Sequence, residues 1–210
     1  MAEPDLSAIL ELARDRITKE AAAVSAVIGQ LDESFVHVVE RILQLPGKVF
    51  VTGSGTSGIM ARRMAHLLTV CGTPALFMPA MDALHGSMGA ATAGDMLIAI
   101  SRGGASTEIN DLAGRLQGAG VVVVSLTAAP ASALAQMADI SVVITNPAEA
   151  DPGNVVAMGS TLAVGVWGDA LAYALMVLRE HSWEQVLHNH PAGAVGQITE
   201  PPPALARPRA

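Results

Sequence analysis

Apolar residues recur at helical spacing from Leu6 to about Leu45. Ile9, Leu10, Leu12, Ala13 and Ile17 form one set, Val24, Val27, Ile28 and Leu31 a second, and Phe35, Val38, Val39, Ile42 and Leu43 a third. This spacing predicts two or three helices, ended by Pro46-Gly47. From Lys48 the period changes. Short apolar runs alternate with helical stretches: strand 48–52, helix 57–71, strand 74–79, a loop around 80–94, strand 96–100 and helix 106–119. Strand 121–126, a short helix 130–137, strand 140–145, a loop 146–156 and a helix from about 157 to 180 follow. Strands alternating with helices predict a parallel, doubly wound sheet covered on both faces. Val121-Val122-Val123-Val124 is the continuous apolar run that the centre of such a sheet requires. Proline at 201–203 and 208 predicts a disordered tail over 198–210. The expected organisation is a helical segment at 1–47 packed on the domain or on a partner, one α/β domain at 48–197, and the tail.

Composition supports this class. Of 210 residues, 51% are apolar and only 3% aromatic; small aliphatic side chains suit helices laid on a sheet. A net charge of -7, with no stripe of Lys and Arg, argues against a nucleic-acid partner. Cys71 is the only cysteine, so no intrachain disulfide can form, and the N-terminal segment is charged and amphipathic; both point to the cytoplasm. The most apolar long stretch, Val155–Leu178, contains Gly159, Gly165, Gly168 and Asp169. An ionisable group is costly in mid-membrane, so a buried core helix is expected there and no membrane contact.

Two strand-like runs break directly into loops of Gly, Ser and Thr. Val49–Thr52 leads into Gly53-Ser54-Gly55-Thr56-Ser57-Gly58, and Met96–Ile100 into Ser101-Arg102-Gly103-Gly104-Ala105-Ser106-Thr107. Glycines let backbone approach an anion, hydroxyls donate to its oxygens, and the following helix directs its positive end to the same place. Gly53-x-Gly55-x-x-Gly58 also matches a dinucleotide fingerprint. That reading wants an acidic residue closing the next strand, and Asp82 lies too far into the loop. Ser54, Thr56 and Ser57 suit a terminal phosphate better, with a plain tight turn as the bland alternative. In the second loop Ser101 and Ser106 are hydroxyl donors and Arg102 adds a permanent charge and a forked donor. Ser106 or Thr107 is also positioned to cap the next helix, with Glu108 in its first turn. Most histidines (His37, His66, His181, His188) read as surface or packing residues. His85 and His190 lie in Gly-containing and Pro/Gly turns, and Glu149 lies on a loop after a strand; each is a candidate for chemistry. No His/Asp/Glu cluster has metal-ligand spacing, so neither metal nor cofactor is expected.

At these loops, and at Leu84-His85-Gly86-Ser87-Met88-Gly89, Met158-Gly159-Ser160-Thr161, Gly168-Asp169-Ala170-Leu171-Ala172 and His190-Pro191-Ala192-Gly193-Ala194-Val195-Gly196, the chain resembles the sugar isomerase (SIS) domain. Within it, the chain is similar to the arabinose-5-phosphate isomerase family, over about residues 30–197. The resemblance implies a three-layer α-β-α sandwich with a five-stranded parallel sheet, assembled as homodimers or homotetramers with sites at subunit interfaces. It also implies that Ser57, Ser101 and Ser106 hold a substrate phosphate, and that Glu149, His85 and His190 match active-site positions. Three differences stand out. Family members often carry Lys where this chain has Thr56, usually carry Glu where it has Ala105, and often continue into CBS domains where it has a Pro-rich tail. The expectation is a sugar-phosphate aldose–ketose isomerase with an altered pocket, Glu149 moving the proton and His190 and His85 assisting. The alternative is a non-catalytic sugar-phosphate sensor.

Overall fold

The computed structural model describes residues 5–205. Its centre is a five-stranded sheet of β1 (Val49–Gly53), β2 (Ala75–Phe77), β3 (Met96–Ile100), β4 (Val122–Thr127) and β5 (Ile140–Val143). The spatial order is β2-β1-β3-β4-β5 and every pairing is parallel. The sheet is doubly wound, and the three layers follow from period-two alternation in strands buried on both faces. Val49, Val51, Met96, Ile98, Ile100, Val124 and Leu126 join one apolar cluster, while Phe50, Leu97, Ala99 and Val123 join the other.

Helices α2 (Glu33–Leu43), α3 (Gly55–Val70) and α7 (Gly159–Leu178) cover the first face, with α1 (Leu6–Ala26) packed on α7. Trp167 of α7 is buried and meets Phe35 of α2 edge-on, with ring centroids 5.5 Å apart. Such a pair contributes about 0.5–1.5 kcal/mol beyond its burial. The second face is covered by α4 (Ala80–Leu84), α5 (Thr107–Gly118) and α6 (Ala133–Met137).

By length and apolarity α7 could cross a membrane. It serves instead as the core helix predicted from sequence, burying Ala163, Trp167, Leu171 and Leu175. Its one charged residue, Asp169, is satisfied by a forked ion pair with Arg63 of α3, in which Nη2 donates to Oδ2 at 2.9 Å.

Two short helices were not foreseen. The stretch expected as a loop at 80–94 contains α4 and a 3-10 turn, Ser87–Ala90. Beyond α7, Ser182 and Gln185 form a reciprocal capping box that starts α8 (Trp183–Asn189). Residues 198–205 have no regular structure, and Trp183 Nε1 donates to the Pro203 carbonyl at 3.0 Å. The rest of the expected disordered tail, 206–210, lies outside the described residues.

Candidate functional site

The order β2-β1-β3-β4-β5 makes β1 and β3 neighbours from which the chain departs in opposite directions. Ligands of open parallel sheets bind in the crevice outside the carboxyl ends at such a point. Gly53 and Ile100, the last residues of β1 and β3, are register partners, so the two Gly/Ser/Thr loops leave the sheet side by side. They are tied together as well, since Ser54 Oγ donates to Glu108 Oε1 at 2.6 Å. That bond is the main reason the Glu108 carboxyl sits below its ordinary range.

The glycines of the first loop have separate physical tasks. A Cβ on Gly53 or Gly58 would press into backbone of the other turn, at 2.8 Å from Ser57 C and 2.7 Å from Gly53 O. This close approach seats α3 directly on β1. Gly55 has φ +56°, where L side chains are strained. The first intrahelical bond of α3 runs from Gly58 N to Ser54 O at 3.2 Å, which leaves the preceding amides of the helix start for an external acceptor. In the second loop Gly104 N donates to Ser101 O at 3.0 Å, and Asn110 N to Ser106 O at 3.0 Å opens α5. The second loop is also braced by β4, because Thr127 Oγ1 donates to Arg102 O at 3.0 Å.

Ser106 occupies the N-cap position of α5 but makes no capping bond with its side chain. Its hydroxyl lies 3.3 Å from the buried Ser101 hydroxyl instead. The two candidate donors thus face each other.

Beside the loops a small cleft opens at the carboxyl ends of β3 and β4. Its polar wall is Ser57, Arg102, Thr127, Ser160 and Thr161, and its apolar wall includes Met60, Leu126 and Val164. Ser57 and Arg102 were candidates from sequence. Thr127, Ser160 and Thr161 had not been singled out as site residues. Their signal was a strand end and a helix start on the same sheet edge. Ser160 Oγ is buried beside the Asp151 carboxylate, yet it meets no partner in hydrogen-bond geometry. The helix start therefore places a hydroxyl between the Asp151 carboxylate and the cavity. Ser54, Thr56 and Ala105 are exposed at the loop tips, outside the cavity lining.

The loop after β5 forms the far wall. Asp151, only 1% exposed, accepts the Met158 and Ser160 amides on Oδ1 at 2.8 and 3.0 Å, acting as a remote cap for α7. Its Oδ2 lies 3.5 Å from Arg102 Nε. Arg102 Nη2 also donates to Asn154 Oδ1. Burial pushes the Asp151 carboxyl up, but the polar groups of Ser160, the Met158 amide and the Arg102 charge outweigh it, and the group stays below the usual carboxylate range.

Glu149 lies just outside this wall, on a 3-10 turn, Ala148–Ala150, in a depression shared with Arg16 and Lys19. Its backbone is pinned by α1, where Arg16 Nη2 donates to both Glu149 O and Ala150 O at 2.8 Å. His85 is an exposed residue at the end of α4. His190 ends α8, and its Nδ1 is 3.2 Å from Ala192 O. The chain reaches α8 from the opposite end of the sheet: Arg179 donates to Ile42 O, ahead of β1, and His181 packs on Gly72, ahead of β2. One protomer thus brings Ser57 and Arg102 to the cavity, with Ser101 and Ser106 in the adjoining loop and Glu149 in the outer depression, while none of Glu149, His85 and His190 lines the cavity. Among the described residues, no group of three or more His, Cys, Asp or Glu side chains is placed to hold a metal.

The SIS domain family matches residues 42–174. This chain belongs to that family. It is 35% identical over 185 residues to arabinose 5-phosphate isomerase KdsD of Pseudomonas aeruginosa, a match covering 88% of this chain and 57% of the relative. The chain therefore spans little more than half of that protein's length. Among solved structures, c3406 of E. coli CFT073, in complex with a phosphosugar, superposes with a TM-score of 0.86 at 31% identity, covering 90% of this chain and all of that one. A Listeria monocytogenes protein proposed to be a sugar-phosphate isomerase gives 0.87 at 34% identity, with the same coverage of both chains. The three-layer sandwich and five-stranded parallel sheet of this SIS protein are thus those expected from its sequence.

Proposed function

We propose that this SIS protein is an aldose–ketose isomerase acting on a phosphorylated sugar. The observation that carries the reading is the pair of tied loops at the β1/β3 crevice, opening beside a cavity lined by Ser57, Arg102, Thr127, Ser160 and Thr161. Hydroxyls, free helix-start amides and one guanidinium suit a phosphate dianion. Ser54, Thr56, Ser57, Ser101, Arg102 and Ser106 are assigned to that phosphate. Holding it would position the reacting carbons at the far end of the sugar.

Isomerisation then needs ring opening, removal of the proton on the carbon beside the carbonyl, and its return to the former carbonyl carbon through a cis-enediol. A second proton passes between the two oxygens. Glu149 is assigned as the carbon base, on the pinned loop after β5 that adjoins the cavity across Asp151 and Asn154. His190 assists ring opening and oxygen-to-oxygen transfer, and His85 orients hydroxyls. Because neither histidine lines the cavity of its own protomer, both are assigned to a second copy in a homodimer or homotetramer.

Glu149→Gln is expected to lower turnover by about 10²–10⁴-fold, the usual contribution of a positioned base, with inorganic phosphate still stabilising the fold. Turnover at the wild-type rate would remove Glu149 from this role. The rival reading is a sugar-phosphate sensor, which Thr56 and Ala105 favour because neither of these two side chains can ionise. A panel of pentose, hexose and heptose phosphates separates the two readings. Thermal stabilisation with aldose–ketose exchange supports the isomerase; stabilisation without exchange on any sugar supports the sensor.

A further inference from the structure

The wall between the cavity and Glu149 consists of Arg102, Asp151 and Asn154. Arg102 lines the cavity, whereas Asp151 and Asn154 line the outer depression that contains Glu149. The three are joined across 49 or more residues of chain, with Nε facing the Asp151 carboxylate and Nη2 donating to Asn154. Asp151 is buried and uses its other oxygen to hold the Met158 and Ser160 amides. One side chain therefore fixes the start of α7, with its cavity-lining Ser160 and Thr161, and also the guanidinium of the second Gly/Ser loop. Glu149 is two residues away on the same short loop, held from outside by Arg16.

We propose that Asp151 is the positioning residue of this site, and that its clasp on Arg102 sets the place of the Glu149 loop relative to the phosphate loop. The proposal rests on the isomerase reading for its catalytic consequence, but not for its structural one. A guanidinium suits the task because it is planar and forked, so one group can engage a carboxylate and an amide oxygen at once. Among the described residues Nη1 has no partner, so Arg102 can keep the clasp and still donate to an anion in the cavity.

Asp151→Asn keeps an oxygen for the two amides and removes the charge facing Arg102. Arg102→Gln removes the same contact from the other loop. Hydrogen exchange of the intact chain is expected to quicken about tenfold across residues 148–158 in each single variant and no further in the double variant, because both break one link. In turnover, Asp151→Asn is expected to lower kcat by up to about 10²-fold, the scale of a small misplacement of reacting groups. KM and the affinity for inorganic phosphate would change less than threefold. Conversely, if Arg102→Gln leaves exchange at 148–158 as in the wild type, or if the two single effects multiply in the double variant, the clasp does not couple the loops and the proposal is wrong. That outcome is separate from failure of the isomerase reading, which would show as a wild-type chain inert on every sugar phosphate with its clasp intact.

Discussion

The two charged side chains buried among the described residues, Asp95 and Asp151, sit at opposite ends of the sheet and are satisfied very differently. Asp95, ahead of β3, accepts the Lys48 amide on Oδ1 at 2.8 Å. Its Oδ2 accepts the Thr92 amide at 2.8 Å and the Thr92 hydroxyl at 3.1 Å, with the Lys48 ammonium 3.4 Å away. Asp151, beyond β5, has two amides on one oxygen and only a 3.5 Å ion pair on the other. Both join segments distant in sequence. Asp95 has spent its acceptor capacity on the fold, while Asp151 shares its capacity with a residue of the cavity wall. A carboxylate saturated by local donors builds structure; one that faces a residue of the cavity wall can serve a site.

The largest test of this contrast is alanine at each position. Asp95→Ala should cost about 3–5 kcal/mol, the scale of breaking a buried, hydrogen-bonded charge pair, and lower Tm by roughly 10 °C. Asp151→Ala should cost about 1–2 kcal/mol, as for loss of a helix cap, yet should harm turnover more. Urea denaturation and steady-state kinetics of the pair decide it, and equal losses of stability would erase the distinction.

Glycines at the two ends sharpen it. A Cβ on Gly47 would overlap Asp95 Oδ1 and the Gly94 carbonyl, so Gly47→Ala should cost about 2–3 kcal/mol. Gly55 has open space around it and only its φ of +56° to answer for, so Gly55→Ala should cost about 1 kcal/mol while weakening phosphate binding.

Acid should expose both carboxylates. Burial raises each, but backbone and side-chain donors outweigh it and leave both below their ordinary value. The stability they supply is complete above the unfolded value near pH ~3.9 and is lost as pH falls through the lower folded values. Urea midpoints should be flat from pH 6 to about 4.5 and fall below about 3.9, less steeply in Asp95→Asn. A fall centred near pH 6 would place the controlling groups among the histidines.

The smallest expected effect is the most specific. Ser160→Ala removes a buried hydroxyl beside the Asp151 carboxylate, so stability should fall by no more than about 1 kcal/mol. Affinity for a sugar phosphate should drop about 5–10-fold, the worth of one hydrogen bond; no change in affinity would leave that hydroxyl outside the ligand's reach.

Much of this molecule was legible in residue order. Short apolar runs at Val49–Thr52 and Met96–Ile100, alternating with stretches of helical spacing, determined a parallel α/β sheet, because strands buried on both faces can be built in few other ways. The loops at 53–58 and 101–107 were legible too, since glycine and hydroxyl residues after a strand have a local physical reason. Helices α4 and α8 were not, being too short to show a period; α8 depends on the Ser182–Gln185 capping box. Only the tertiary structure decided which loops meet. Asp151 reads as a loop charge until Arg102, Met158 and Ser160 are seen around it, and Ser160 reads as helix until its hydroxyl is found between that carboxylate and the cavity. Such contacts join residues far apart in the chain through strand order, and no local pattern encodes them. The sequence alone thus determined the layers and the cradle, and the order β2-β1-β3-β4-β5 decided the site by bringing distant loops to one edge.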